Sequence, residues 1–487
     1  MKKLLAIILF AALCMGCICV SATASQEYSA DTWKAVELKG LFYQESDFIT
    51  SDVAPDYEAW WWDDYVEELD DYVVAAYINM RGFSMSADGR YAYMGTLNGG
   101  TGVRGVVVLD TQVGKITDMY YSYNEENALP GSPFSYAKGI AADDRGIVYA
   151  GFAYSVNYNY VSLGIAQQQQ DGKLVELCEI PVYRNDLEPG DESGTKIGVN
   201  GVEVAKIGDK YYCFVMTNYE HDSLYCFDVT DPESPVLNMK FGIEGSIDFS
   251  AEDCTIDLGG KHLDEGQYMA VDANGTLWLC ASLKEGGTGI IKIDASGVNC
   301  LGYTEFSGAY SIAHVGDFLL VGLKDGSAVE VLDDSTMEKV ASISVPDADR
   351  ITRIQVINDM LYVCGAGNDS MTSNCIYVAP LTAEAQAAYE AQVAAINSYR
   401  QSEDDGDEET ETETETDAAT ESDTAPDTDE QTEAKTEATT SPSTQAPEAT
   451  EAETEKPSGG CGSAIGSGAI LAILALGTAV VAKKKKD

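Results

Sequence analysis

Short runs of strand-forming residues, cut by Gly, Asp and Asn, recur in sets of four from Phe83 to Ala379. They predict an all-β fold, a β-propeller of six four-stranded blades, or seven if the segment Gly242–Gly260 holds another. The clearest set runs from Tyr268 to Tyr303, as Tyr268–Val271, Thr276–Ala281, Gly289–Ile293 and Val298–Tyr303. Its first two runs meet at Asp272-Ala273-Asn274-Gly275, where Asn and Gly tolerate the positive φ of a tight hairpin. A second observation is that the last set, Thr352–Ile357, Met360–Gly365 and Cys375–Ala379, lacks a fourth run. A strand from Trp33–Leu41 or Tyr72–Ile78 would complete it and close the ring, removing its open edges.

Taken in order, the chain opens on Lys2 and Lys3, the apolar run Leu4–Leu13 and the small residues Ala22-Thr23-Ala24. Residues 1–24 therefore read as a secretory signal peptide. The propeller domain is expected over 25–381, with an acidic, aromatic insertion at 45–72. That insertion contains Trp60, Trp61 and Trp62, read either as a sugar-stacking platform or as a lid on the ring. The Ala-rich stretch 382–400 has no Gly or Pro and predicts a helix.

From 401 to 460 the chain is Glu, Thr, Asp, Ala, Ser and Pro. It is too poor in apolar residues to offset its chain entropy, and like charges extend it, so a disordered stalk is expected. Residues 461–487 end the chain with Ala464–Ala482, free of charge, followed by four lysines and Asp487. As a helix that run spans roughly 28 Å, about the thickness of the hydrocarbon layer. The lysines would stay cytoplasmic, placing the ring on the extracellular face of the membrane or in the cell wall.

Composition narrows the function. The formal net charge of −50 repels nucleic acid and anionic lipid, although the stalk holds much of it. Tyr 28 against Phe 12 suits solvent-facing strands and polar binding surfaces. The usual catalytic signatures are missing: no G-x-S-x-G, H-E-x-x-H, P-loop or helix-opening G-x-G-x-x-G. The histidines are His221, His262 and His314, and His314 ends an inner strand where it could reach the channel.

The links between second and third strands gather on one face of the ring. The Tyr/Asn-rich link Tyr154–Tyr160 is the favoured ligand-binding loop, through Tyr154, Asn157, Tyr158, Asn159 and Tyr160. These features point to a displayed module that binds an extracellular protein or glycan, with no nucleic-acid partner.

Eight cysteines lie in the exported domain. An oxidising compartment favours pairs, of which Cys213–Cys226 and Cys364–Cys375 flank hairpin turns. Cys280–Cys300 lies within one set, and Cys178–Cys254 remains by elimination. Reduced, buried thiols are the alternative.

Phrases such as Ala270-Val271-Asp272-Ala273-Asn274-Gly275-Thr276-Leu277-Trp278 resemble the NHL, SMP-30-like and quinoprotein-like propeller families. The SMP-30 resemblance implies a channel calcium held by a Glu and several Asn/Asp, and a hydrolase or lactonase activity. Asn200, in Asn200-Gly201-Val202, matches one such ligand. Arg81-Gly82-Phe83 stands where a Glu is wanted and Gly266-Gln267-Tyr268 replaces the Asp, so no resident cofactor is expected beyond that calcium. The tail Gly459-Gly460-Cys461 before an apolar run and lysines resembles the Cys-containing sorting signals of bacterial surface proteins, which implies that Cys461 is processed or modified.

Overall fold

Six antiparallel sheets follow one another along the chain. The computed structural model describes residues 28–39, 48–50, 64–66, 71–75, 80–96, 105–120, 135–154, 160–184, 197–219, 222–249, 254, 256–346, 348–366 and 375–404. The described residues fall within one compact unit, Met1–Glu411. The signal segment, Trp60–Trp62, the stalk beyond 404 and the apolar 461–487 lie outside them. Among the described residues no helix is long and apolar enough to cross a membrane.

Blade 1 is Met80–Met85, Tyr91–Thr96, Val106–Asp110 and Lys115–Tyr120; blade 2 is Ser135–Ala142, Ile147–Tyr154, Tyr160–Gln168 and Leu174–Arg184. Blade 3 is Ile197–Ile207, Lys210–Tyr219, Ser223–Asp228 and the short Val236–Leu237. Blade 4 is Leu263–Val271, Leu277–Leu283, Thr288–Ile293 and Cys300–Glu305; blade 5 is Ala309–Val315, Phe318–Leu323, Ala328–Asp333 and Lys339–Ser344. Blade 6 has Arg350–Ile357, Met360–Ala366 and Cys375–Pro380.

The first strand of each blade touches the first strands of both neighbours, and blade 6 meets blade 1, so the ring closes. Six apolar clusters lie between successive blades, one per interface. Each sheet is covered on both faces, which is why runs such as Val106–Asp110 are buried along their whole length. Close approach demands glycine at Gly95, where a Cβ would stand 2.4 Å from the Ala137 carbonyl oxygen of the next blade.

The ring has six blades and no hidden seventh. Within the insertion Gly242–Gly260, Ser246–Asp248 pairs with the third strand of blade 3, supplementing its short fourth strand. Closure also differs from expectation. Trp33–Leu41 is not a strand: Ser29 and Thr32 form a capping box that starts a short helix, α1 (Ala30–Lys34). Trp33 is 1% exposed in the core between blades 5 and 6. Beyond α1 the chain reaches blade 6 through Lys39, which exchanges hydrogen bonds of 2.8 and 2.9 Å with Val378. The alternative closing segment instead contributes Asp71–Ala75 to a separate small sheet with Phe48–Thr50 and Asp64–Val66.

The turn at Asp272 is a hairpin in which Gly275 alone takes positive φ, +84°. The Asp272 carboxylate accepts from the Asn274 and Thr276 amides at 2.9 and 2.7 Å, holding Asn274 out of the left-handed region. The Ala-rich stretch forms α2 (Ala383–Asp404), which buries Ala385 and Ile396 against blades 6 and 1.

Candidate functional site

In all six innermost strands the pairing with the second strand slips by one residue. The residues left over are Arg81, Lys138, Asn200, Gln267–Tyr268, Tyr310 and Thr352, and blade 4 slips a second time at Asp264. A bulge frees a residue from the ladder and re-aims its side chain. The six bulges lie towards the channel mouth on the face where second strands run into third strands.

The channel is bridged at this level and below it. The Tyr268 hydroxyl of blade 4 donates to the Arg81 carbonyl of blade 1, and its ring meets Tyr310 edge-on at 5.4 Å. The Arg353 guanidinium of blade 6 pairs with the Glu203 carboxylate of blade 3 and donates to the Met269 carbonyl at 3.4 Å. Burial raises the Glu203 carboxyl above its ordinary value, although Arg353 opposes the shift.

At the mouth, Asn200 is the centre of a buried network. Its Oδ1 accepts from Lys138 Nζ and, at 2.9 Å, from Asn218 Nδ2. Its Nδ2 lies 2.9 Å from Glu265 Oε1 and 2.6 Å from the Gly266 carbonyl oxygen. Asn218 Nδ2 also reaches Glu265 Oε1, at 3.1 Å. Burial lowers the Lys138 ammonium to about 8, Glu265 pulls it back up, and Arg81 and Lys324 add to the lowering. For Glu265 burial acts upward, but Lys138 and the two asparagine amides hold it below the usual carboxylate range. Asp222, 4% exposed, is raised to about 8 by burial and then by the Glu265 charge. Burial thus favours the protonated form of Asp222, and the surrounding donors favour the ionised form of Glu265.

This donor set does not fit the calcium implied by the resemblance. Both lone pairs of the Asn200 carbonyl and both of its N–H groups are already engaged. The Lys138 ammonium occupies the point where a cation would meet that oxygen. Among the described residues no group of three or more His, Cys, Asp or Glu side chains is placed to hold a metal. As the side chains stand, Asn200 bears on Lys138, Asn218 and Glu265.

The opposite mouth holds a cavity of about 670 Å³ lined by Glu203, His314, Arg353, Gln355 and Asp359, among others. Tyr28 borders it and donates to Asp359 at 2.6 Å. His314 stacks on Trp278 at 4.4 Å and lies 2.9 Å from Asp334, so its ring is held in place.

No protein-family model and no curated protein matches the chain. Among solved structures, it is similar to a gluconolactonase of Xanthomonas campestris at 13% identity, covering 63% of this chain and 87% of that one, with TM-score 0.38. It is similar to a PQQ-bound aldose sugar dehydrogenase of Streptomyces coelicolor at 13% identity, covering 63% and 96%, with TM-score 0.42. A Bacteroides caccae protein of unknown function matches at 13% identity, covering 55% and 82%, with TM-score 0.36. At these scores the likenesses say nothing of chemistry, and the ring rests on its own strand pairing and interblade cores.

Of the residues singled out in the sequence, Asn200 is in the network. Tyr154 closes the second strand of blade 2 and Tyr160 opens the third, on the same face. Asn157, Tyr158 and Asn159 between them lie outside the described residues, as do Trp60, Trp61, Trp62 and Cys461.

Register places the cysteines of the expected pairs. Cys213 stands opposite Phe227 and Phe214 opposite Cys226, so the two thiols point to opposite faces of the sheet. They fall in different cores, and both are free. Cys364 stands opposite Ile376, and Cys375 opposite Gly365. Cys280 lies in the core between blades 4 and 5, and Cys300 against the core between blades 3 and 4; both thiols are free. Cys178 is free and packs between blades 2 and 3, whereas Cys254 packs between blades 3 and 4.

Sequence reasoning missed Lys138 and Glu265. A lone lysine among small residues, Ala137-Lys138-Gly139-Ile140-Ala141, was the available signal for the first. Asn218 and Asp222 bound the link between the second and third strands of blade 3, but their burial could not be read from the sequence.

Proposed function

We propose that the chain is a recognition module displayed outside the cell membrane, whose ring binds an extracellular protein or glycan at this mouth and its surrounding loops. The observation that carries the reading is the polar network itself. The side chains of Asn218 and Asp222 are 1% and 4% exposed, and their Oδ1 atoms have no hydrogen-bond partner. Buried polar atoms without partners are costly in a purely structural site, and tolerable where a ligand or ordered water completes them. The Tyr/Asn-rich link Tyr154–Tyr160 opens on the same face. The acidic stalk and lysine-terminated apolar run support display.

The test is a screen of the full chain against extracellular proteins and glycans, with 155–159 replaced by Gly and Ser in parallel. Saturable binding that the replacement weakens supports the module; absence of any partner, or indifference to the loop, counts against it.

A second reading, hydrolysis of a sugar lactone or glycoside, is favoured by one observation: Asp222 protonated beside ionised Glu265 is an acid–base arrangement. Turnover of such substrates, abolished by Asp222→Asn, would favour it over display.

A further inference from the structure

The mouth opposite Asn200 carries the cavity of about 670 Å³, a volume typical of a small-molecule site. Its floor is the Arg353–Glu203 pair that bridges the channel. Its rim holds Tyr28 and the turn Asn358–Asp359, which joins the first two strands of blade 6. Between floor and rim stand apolar residues, among them Ala270, Ile312, Ile354 and Val356. Arg353 and Ile357 are four residues apart on one strand, so floor and rim are separated by roughly 13 Å.

The charges in this cavity do not cancel. Arg353 is matched by Glu203, and His314 is committed to Asp334 at 2.9 Å and to the Trp278 ring. Asp359 has no ion-pair partner among the described residues. Only the neutral Tyr28 hydroxyl donates to its side chain, at 2.6 Å and through one of its two oxygens. The rim therefore favours a cation. A metal ion needs several oxygen ligands, and among the described residues no group of three or more His, Cys, Asp or Glu side chains is placed to hold one. The floor makes a different demand. Arg353 is 4% exposed and lines the cavity; its Nη groups donate to Glu203 and to the Met269 carbonyl, and its Nε has no hydrogen-bond partner. A second carboxylate there would stand beside Glu203, so a neutral acceptor is the better match.

We propose that this cavity is a second ligand site and takes a linear amphiphilic amine, its ammonium at Asp359 and Tyr28, its alkyl stem along the apolar walls and a hydroxyl or carbonyl oxygen at Arg353. The site is independent of the recognition reading, because the bridges made by Tyr268 and Arg353 lie between the two mouths. A carboxylate beside an aromatic ring is a natural partner for an ammonium group. An ion pair at an open rim is weak by itself, and burial of the stem supplies the remaining affinity.

The experiment is calorimetric titration of the full chain with 6-amino-1-hexanol, hexylamine, 1-hexanol and 6-aminohexanoate. The expected result is saturable binding of 6-amino-1-hexanol, about tenfold tighter than hexylamine, which lacks the acceptor for the floor, and than 1-hexanol, which lacks the cation. The amino acid should also bind more weakly, since its carboxylate meets Glu203. Asp359→Asn should weaken 6-amino-1-hexanol by about tenfold. Asn keeps an acceptor for Tyr28 and tolerates the left-handed backbone of that position, φ +60°, and a melting temperature checks that the turn survives. Should the variant melt early, the ligand series on the parent chain decides alone. Absence of saturable binding, equal binding of hexylamine or 1-hexanol, tighter binding of 6-aminohexanoate, or an affinity unchanged in a folded Asp359→Asn overturns the assignment.

Discussion

Arg353 on blade 6 forms a buried ion pair with Glu203 on blade 3, across the channel from it. Like the hydrogen bond from Tyr268 to Arg81, the pair ties opposite sides of the ring. Removing one partner leaves the other charge buried alone. Arg353→Ala should therefore destabilise the chain by about 3–5 kcal/mol. Arg353→Met combined with Glu203→Leu should recover most of that loss. Denaturant unfolding of the single and double variants decides it, and equal losses in both would show that packing, not the stranded charge, sets the cost.

Asp222 makes stability depend on pH with an unusual sign. Its carboxyl is raised from 3.8 to about 8 by burial and by Glu265, with Asp264 adding to the rise and the Gly266 amide and Lys284 opposing it. The folded chain holds that proton where the unfolded chain has lost it, so the contribution to stability falls as pH rises from about 4 to about 8. Lys138, lowered to about 8, contributes a slope only above that value. Melting temperatures at pH 5 and 7.5 should lie closer together in Asp222→Asn than in the parent chain. Parallel profiles would refute the assignment.

Gly95→Ala should weaken the interface between blades 1 and 2 by about 1–3 kcal/mol. The added carbon meets a backbone oxygen at 2.4 Å and Ile140 Cδ1 at 2.7 Å. At Gly208, where a Cβ meets nothing within 4 Å, substitution strains only the local turn. Urea midpoints of the two variants compare a crowded interface with an open hairpin.

The thiols of Cys178, Cys213, Cys226, Cys280 and Cys300 should alkylate in denaturant without reductant. Burial pushes Cys226 up to about 12 and Cys213 well above its ordinary 9, so the native chain should label neither at pH 8. Peptide mass mapping distinguishes this from bridged pairs, which would appear only after reduction.

What the sequence by itself determined was local: alternating runs of strand residues, turns at Asp272–Gly275 and Asp88-Gly89, and a three-strand final set that needed closing. These follow from backbone preference and from sheets covered on both faces. Tertiary structure decided what depends on register. Cys213 and Cys226 are symmetric about their turn in sequence, yet one residue of pairing offset sends them to opposite faces. Trp33–Leu41 has strand-forming residues, but its capping box and the pocket for Trp33 turned its start into a helix and left Lys39 to make the bridge. The mouth was decided in the same way. Lys138, Asn200, Asn218 and Glu265 are far apart along the chain, and none belongs to a motif that names the others. Bulges at Lys138 and Asn200 aim these side chains at each other and at Glu265 of the next blade, because in a ring the neighbours are set by strand pairing and not by sequence distance.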